Sequence, residues 1–141
     1  MNNSMKNSTL VFCSLAASLL LTGISNLQAK AQSSSNWVEE ALGSYQSQIW
    51  GAIGLVPGTT EFRETNDGSL EGSYSMNEQG RLVPGTLSRC EVMQVRVMRC
   101  IWNDKYGSGY LEVTFSEDFS EFSGYWGVGS SEPTYPWNGS R

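Results

Sequence analysis

The sequence predicts an all-β fold, an antiparallel up-and-down meander that forms a small barrel or a strongly curved sheet. Three observations predict it: period-two alternation of apolar and polar residues, frequent Asn, Asp and Gly turn signals, and no stretch long enough for a βαβ crossover. Residues 107–126 show the alternation best, with Leu111, Val113 and Phe115 on one face before a turn at residues 117–118. This segment is predicted to be a half-buried hairpin.

The remaining strands of the meander, which spans residues 59–141, are predicted by the same signals. They cover residues 59–64, 69–75, 81–87 and 137–141. The Asn-Asp-Gly segment 66–68 is a strong hairpin turn because these residues tolerate positive φ. Pro84 interrupts the third of these strands. Since proline cannot donate to a ladder, the strand is predicted to lie at an edge or to carry a bulge.

Residues 1–31 have the pattern of an export signal. Lys6 precedes an apolar run at residues 10–24, which is short for a membrane span of about 20 residues. The Ala-Lys-Ala segment 29–31 fits the small-x-small cleavage rule, so cleavage is predicted before Gln32. Retention of the run as a membrane anchor is the alternative. The chain is therefore expected in the periplasm or outside the cell.

Residues 32–58 form a predicted lead-in between the signal and the meander. Asn36 is placed to cap a short helix, with Glu39 three residues later as in a capping box. The apolar, glycine-containing run 49–56 is a candidate first strand. It is predicted to end in a turn at Pro57-Gly58.

Charge argues against two classes of partner. Removal of the signal takes Lys6 and Lys30 away and leaves seven basic against 14 acidic residues, a net charge of −7. Such a surface repels phosphate backbones and anionic lipid. No nucleic-acid partner is therefore expected, and contact with a membrane is expected only in transit through the signal.

Two cysteines remain after the signal, Cys90 and Cys100. An isolated pair in a small exported domain usually forms a disulfide, and two free buried thiols are the alternative. One straight strand would hold the two residues about 33 Å apart, at 3.3 Å per residue. A bridge therefore requires a chain reversal, predicted near residues 93–95.

The cysteine-flanked segment, residues 90–102, is apolar on both faces and carries a local basic cluster. Arginines 89, 96 and 99 stand out on an acidic chain. Two-sided apolarity predicts either cover on both faces or contact with a partner. Val95, Arg96 and Arg99 are accordingly the candidate residues for protein contact.

Aromatic residues are the second candidate binding feature. The chain has five tryptophans and six tyrosines, which can stack on a ligand or simply fill a small barrel. Trp102 and Trp126 lie within strands and are expected in the core. Tyr125, Tyr135 and Trp137 lie near a loop or face outward, so they are candidates for contact with a ligand or partner.

Catalytic chemistry is poorly represented in the sequence. The chain has no histidine, which removes Ser-His-Asp and Cys-His catalysis and the usual zinc ligand sets. The carboxylates at residues 61–71 and 117–121 flank turns, where acidic side chains are usually solvated. We expect no enzyme, no cofactor and no metal site, and a carboxylate-dependent hydrolase is the weakest hypothesis.

A resemblance follows from the C-terminal half. Residues 122–126 and 137–141 read F-x-G-x-W and W-x-G-x-R, and residues 72–74 are G-x-Y. In this the chain resembles a loose group of small exported bacterial β proteins over about residues 59–141, departing from it at residues 83–85 and in the cysteine-flanked segment. The resemblance implies a fold and a compartment and carries no catalytic residue. A fainter resemblance to avidin-type and lipocalin-type barrels implies architecture alone.

The leading hypothesis is an exported, non-enzymatic interaction domain that contacts a protein partner through residues 92–99. One alternative is a lipocalin-like or avidin-like carrier of a small apolar or glycan ligand. A carrier requires a cavity of about 300 Å³ or more, lined by Trp and Tyr. A periplasmic protease inhibitor is a further alternative and would need a protruding strand or tail.

Overall fold

The computed structural model describes residues 37–141 and shows one closed antiparallel β-barrel, preceded by a short helix at residues 37–41. The eight strands are β1 Gly43–Gly51, β2 Gly54–Glu64, β3 Leu70–Glu78, β4 Arg81–Gln94, β5 Val97–Asp104, β6 Gly107–Phe115, β7 Glu121–Trp126 and β8 Tyr135–Ser140. Each strand pairs with the next, and β8 returns to pair with β1. The all-β prediction is confirmed, and the meander closes.

Part of the sequence prediction lies outside the described residues. The signal at residues 1–31, the cleavage point before Gln32 and the Asn36 cap all belong to that part. The short helix predicted after Asn36 is present at residues 37–41. Within residues 37–141, no helix has the length and apolarity that a membrane crossing requires.

The predicted turn at Pro57-Gly58 is wrong, because β2 runs straight through it. Pro57 pairs with Gln48 of β1 and lies just beyond the last pair between β2 and β3, so it has no ladder partner on that side. Gly58 allows the close approach of β3, since a Cβ there would lie 2.3 Å from the Ser75 carbonyl oxygen. The glycine therefore serves strand packing, and the first hairpin turns at residues 52–53.

Pro84 lies within β4 and is not part of a bulge. It pairs with Ser75 of β3, whereas the pairing of β4 with β5 begins only at Thr86 and Asn103. Pro84 thus stands where β4 extends beyond its other neighbour. The predicted edge strand is therefore wrong, because β4 pairs with both β3 and β5 and only the segment around Pro84 lacks a partner on one side.

The cysteine prediction is confirmed. Cys90 and Cys100 form a disulfide with their Cα atoms 4.0 Å apart, and both are buried. The chain reverses at residues 95–96, next to the predicted segment, and Arg96 takes a positive φ of 62° there. The bridge crosses the β4–β5 hairpin where its register shifts, between Ser88 and Glu91.

The interior at one end of the barrel is filled by an aromatic cluster, which consists of Tyr45, Phe62, Phe115 and Phe122. Their ring centroids lie 5.2 to 6.1 Å apart, mostly edge to face. Trp37 of the short helix stacks on Phe119 at 6.4 Å and covers the cluster. We call this the closed end.

Arg141 binds the C-terminal end of the short helix and so holds the helix at the closed end. The Arg141 guanidinium donates to the Leu42 carbonyl oxygen at 2.7 Å and to the carbonyl of Glu40. It also lies 4.7 Å from the ring centroid of Tyr45, whose hydroxyl donates to the Ala41 carbonyl at 2.9 Å. Burial raises the pKa of the Tyr45 phenol, and Arg141 lowers it in part. The phenol therefore stays a neutral donor at neutral pH.

Two glycines lie under the aromatic rings of their cross-strand partners. Phe122 and Gly139 are direct cross-strand partners, and a Cβ on Gly139 would lie 2.2 Å from the Phe122 ring. Tyr74 and Gly85 repeat the arrangement between β3 and β4, with a corresponding distance of 2.1 Å. These glycine–aromatic pairs therefore let large inward rings fit into a narrow barrel.

Candidate functional site

The end of the barrel opposite the helix contains a cavity of about 330 Å³. We call it the open end; it carries the β1–β2, β3–β4, β5–β6 and β7–β8 loops. Aromatic side chains dominate the cavity lining: Trp50, Trp102, Trp126, Trp137, Tyr74, Tyr106 and Tyr135. The open end thus combines a preformed concavity with aromatic faces, which is typical of small-molecule sites.

Trp137 forms the floor of the cavity, and buried hydroxyl groups fix its position by hydrogen bonding. Trp137 is 2% exposed, and its indole N–H donates to Thr60 Oγ1 at 2.9 Å. Thr60 in turn shares a hydrogen bond of 2.8 Å with the Ser47 hydroxyl. The Tyr74 ring meets Trp137 edge to face at 4.6 Å. These contacts fix the indole plane at the bottom of the cavity.

The walls are fixed in the same way. The indole N–H of Trp102 donates to the Gly127 carbonyl at 2.9 Å, and that of Trp126 donates to the Trp50 carbonyl at 3.0 Å. The rings of Trp102 and Trp126 meet edge to face at 5.1 Å, and Tyr135 lies 4.8 Å from Trp126. The tryptophans are therefore held against the barrel wall.

Asp104 is the charged residue that lines the cavity. Its carboxylate accepts from the Tyr74 hydroxyl at 2.8 Å and from the Tyr106 backbone N–H at 2.7 Å. Burial raises the pKa of Tyr74, and the hydrogen bond to Asp104 and its negative charge raise it further. Tyr74 therefore remains a neutral phenol that donates to a carboxylate.

A second carboxylate borders the rim of the cavity. Glu78 Oε2 accepts from the Tyr106 hydroxyl at 2.6 Å. Glu78 Oε1 lies 3.2 Å from the position a Cβ would take on Gly51, which lines the cavity. This oxygen is buried and has no hydrogen-bond partner among the described residues. A buried acceptor without a donor is uncommon and costly, so it requires an explanation.

The predicted binding residues separate into distant groups. Trp137 and Tyr135 line the cavity. Tyr125 precedes Trp126 in β7 and points outward. Val95 and Arg96 lie in the β4–β5 turn, at the closed end. Arg99 is on the outer face. It pairs with Glu112 at 2.7 Å and lies 5.4 Å from the ring centroid of Tyr110. Their roles in binding stay predictions.

The sequence interpretation missed four residues at the open end. Tyr74, Asp104 and Glu78 occupy inward positions of strands, and Tyr106 lies in the turn after β5. Strand alternation extended from Met76 to the end of β3 would have placed Glu78 on the inner face. Carboxylates next to turns are commonly solvated, so the residue type alone gave no signal.

Two of the turn carboxylates considered for hydrolysis stabilise their own turns. Asp67 accepts from Thr65 and from the Ser69 backbone N–H, and these hydrogen bonds lower its pKa to about 2. The pKa of Asp118 is lowered to about 2 by hydrogen bonds, first from Ser120. Among residues 37–141, no group of three or more Cys, Asp or Glu side chains is arranged to hold a metal ion.

Comparison of the chain with protein-family models, with curated proteins and with solved structures finds no match. The function is therefore inferred from the barrel itself. Its features are a sealed aromatic end, an open end with fixed aromatic walls, and two carboxylates near the opening.

Proposed function

We propose that this protein is an exported carrier that binds a small, largely apolar molecule at the open end of its barrel. The observation that carries the proposal is the aromatic cavity of about 330 Å³. Ligand pockets typically measure about 300–1,000 Å³ and are lined by apolar and aromatic groups with a few polar ones. The buried Cys90–Cys100 disulfide fits an oxidising compartment, as does the predicted signal.

The contrast between the two ends supports a binding role for the cavity. A barrel of eight strands is just wide enough for side chains to fill its interior. At the closed end, four aromatic rings do so. At the open end, the indole N–H of Trp102 donates to the Gly127 carbonyl of the β7–β8 loop, and that of Trp126 donates to the Trp50 carbonyl of β1. These bonds oppose collapse of the rings into the centre, and a ligand would contact the partly exposed ring of Trp126.

The carrier proposal predicts that Tyr135→Ala weakens binding of the neutral fluorescent probe N-phenyl-1-naphthylamine by about tenfold. Loss of a ring contact costs roughly 0.5–1.5 kcal/mol beyond the lost burial. Tyr125→Ala is the matched control, because Tyr125 is 53% exposed against 43% for Tyr135 and lies on the outer face. Probe fluorescence, titrated against each variant, gives the affinities.

Either of two results would contradict the carrier proposal. One is an unchanged probe signal on addition of the native protein. The other is an equal loss of affinity in the Tyr135→Ala and Tyr125→Ala variants, because the probe would then bind outside the cavity.

A second candidate function is protein contact at the tip of the β4–β5 hairpin. Val92, Met93 and Val95 are exposed there at 40%, 49% and 62%. The double variant Val95→Asp/Arg96→Asp is expected to reduce partner recovery in a pull-down from the native envelope fraction. The control is Leu82→Asp, which charges an equally apolar site, 68% exposed, near the open end. Unchanged recovery with the double variant would remove this surface from consideration.

A further inference from the structure

We propose that the ligand of the open end is a protonated organic amine with an apolar or aromatic body. This inference rests on the proposed carrier function and names its ligand class. Three observations carry it: most aromatic hydrogen-bond donors of the walls are already used, the charged groups at the cavity are carboxylates, and one carboxylate oxygen lacks a donor.

The cavity walls offer aromatic faces but few donors. The indole N–H groups of Trp102, Trp126 and Trp137 all donate to oxygens of the protein. The hydroxyls of Tyr74 and Tyr106 donate to carboxylates. An anion or a sugar needs several donors from its site and would find few here. A cation needs none and is attracted to the negative face of an aromatic ring.

The carboxylates nearest the cavity also favour a cationic ligand. Asp104 lines the cavity, and the Glu78 carboxylate reaches the rim through Tyr106. The basic residues of the neighbouring turns, Arg81 and Lys105, are exposed and do not line the cavity. In this partly desolvated site, an anionic ligand would be repelled and an ammonium group attracted.

Glu78 Oε1 gives the inference its chemical detail. It is a buried carboxylate oxygen without a hydrogen-bond donor in the described part of the chain. It lies beside Gly51 and outside the cavity lining, so an ammonium N–H would satisfy it after a turn of the Glu78 side chain, and a quaternary ammonium would not. The chain also supplies an example of the expected contact, because the Lys105 ammonium lies 4.7 Å from the ring centroid of Tyr106. Lys105 therefore already occupies one face of Tyr106, and the rings of Trp126 and Tyr135 are the ones that a ligand cation would meet.

The test compares three probes of one shape and different charge: 2-phenylethylammonium, 2-phenylethanol and 3-phenylpropanoate. Each competes with N-phenyl-1-naphthylamine on the native protein. The ammonium is expected to bind at least tenfold more tightly than the alcohol, and the carboxylate more weakly than both. Equal affinities for ammonium and alcohol would overturn the inference and leave the carrier proposal intact. Failure of the fluorescent probe and of all three competitors to bind would remove both.

Two variants locate the effect at the rim. Glu78→Gln keeps the size of the side chain and an acceptor for Tyr106, and it is expected to lower ammonium affinity about tenfold and alcohol affinity by much less, because an alcohol O–H is a neutral donor. Glu61→Gln removes the same charge from an exposed position of β2 and is expected to change neither affinity. An equal drop in both variants would show a general charge effect and overturn the assignment to Glu78. An unchanged unfolding midpoint of Glu78→Gln, followed by circular dichroism, shows that the variant folds.

Discussion

Replacement of Trp37 by alanine is expected to lower the free energy of unfolding by about 3–5 kcal/mol, the usual cost of removing a buried large aromatic side chain. Trp37 is 5% exposed, stacks on Phe119 and lies 6.1 Å from the Phe115 ring centroid. Its loss would uncover the aromatic cluster at the closed end. Urea denaturation followed by circular dichroism measures the change, with Glu39→Ala on the exposed face of the same helix as the control.

A conservative variant separates packing from hydrogen bonding at this position. The Trp37 indole N–H is buried and has no acceptor among the described residues. Trp37→Phe removes this unsatisfied donor and keeps a ring on Phe119, so its cost is expected to be much smaller than that of alanine. An unfolding midpoint of Trp37→Ala equal to that of Glu39→Ala would show that the helix does not stabilise the barrel.

The strands were predictable because their signal is local. In the hairpin of residues 107–126, each inward residue is identified by its immediate neighbours, and the structure keeps Leu111, Val113 and Phe115 buried. The turn prediction at Pro57-Gly58 is wrong because a Pro-Gly dipeptide can also lie within a strand where a neighbouring strand approaches closely. Gly58 is needed for the approach of Ser75, which lies 17 positions further along the chain. A pattern of neighbouring residues cannot show a contact between two segments so far apart in the chain.

The candidate site was predictable only in part, because alternation gives the face of a strand but not what gathers there. Tyr135 and Trp137 are predicted binding residues because they are aromatics close to a loop, and both line the cavity. Val95 and Arg96 entered the same predicted set, yet they lie at the other end of the barrel. Strand register separates these residues, and register depends on pairings between distant segments.

The carboxylates at the open end illustrate the same limit. Asp104 and Glu78 both resemble solvated turn residues in the sequence. Their significance comes from Tyr106, whose backbone N–H binds one carboxylate and whose hydroxyl binds the other. Glu78 is 28 positions from Tyr106 in the chain, and the pairing of β3 with β4 and of β4 with β5 places them at the same end of the barrel.

Removal of the disulfide in the double variant Cys90→Ala/Cys100→Ala is expected to lower the free energy of unfolding by about 2–3 kcal/mol. On the chain-entropy model, this is the contribution of a bridge that closes a loop of this length. Alanine is preferred to serine, because both positions are buried and a hydroxyl there would need a new partner. Guanidinium denaturation of the variant, and of the native protein with and without reductant, measures the effect.

The position of the bridge makes this variant a test of how separable the two ends are. Cys90 lies opposite Leu70 of β3, in the half of the barrel that includes the closed end, whereas the cavity lies at the open end. The disulfide variant is therefore expected to be less stable but to bind N-phenyl-1-naphthylamine with native affinity below its unfolding transition. Weaker probe binding by the folded variant would contradict this separation, because the bridge at residues 90 and 100 would then also determine the shape of the cavity.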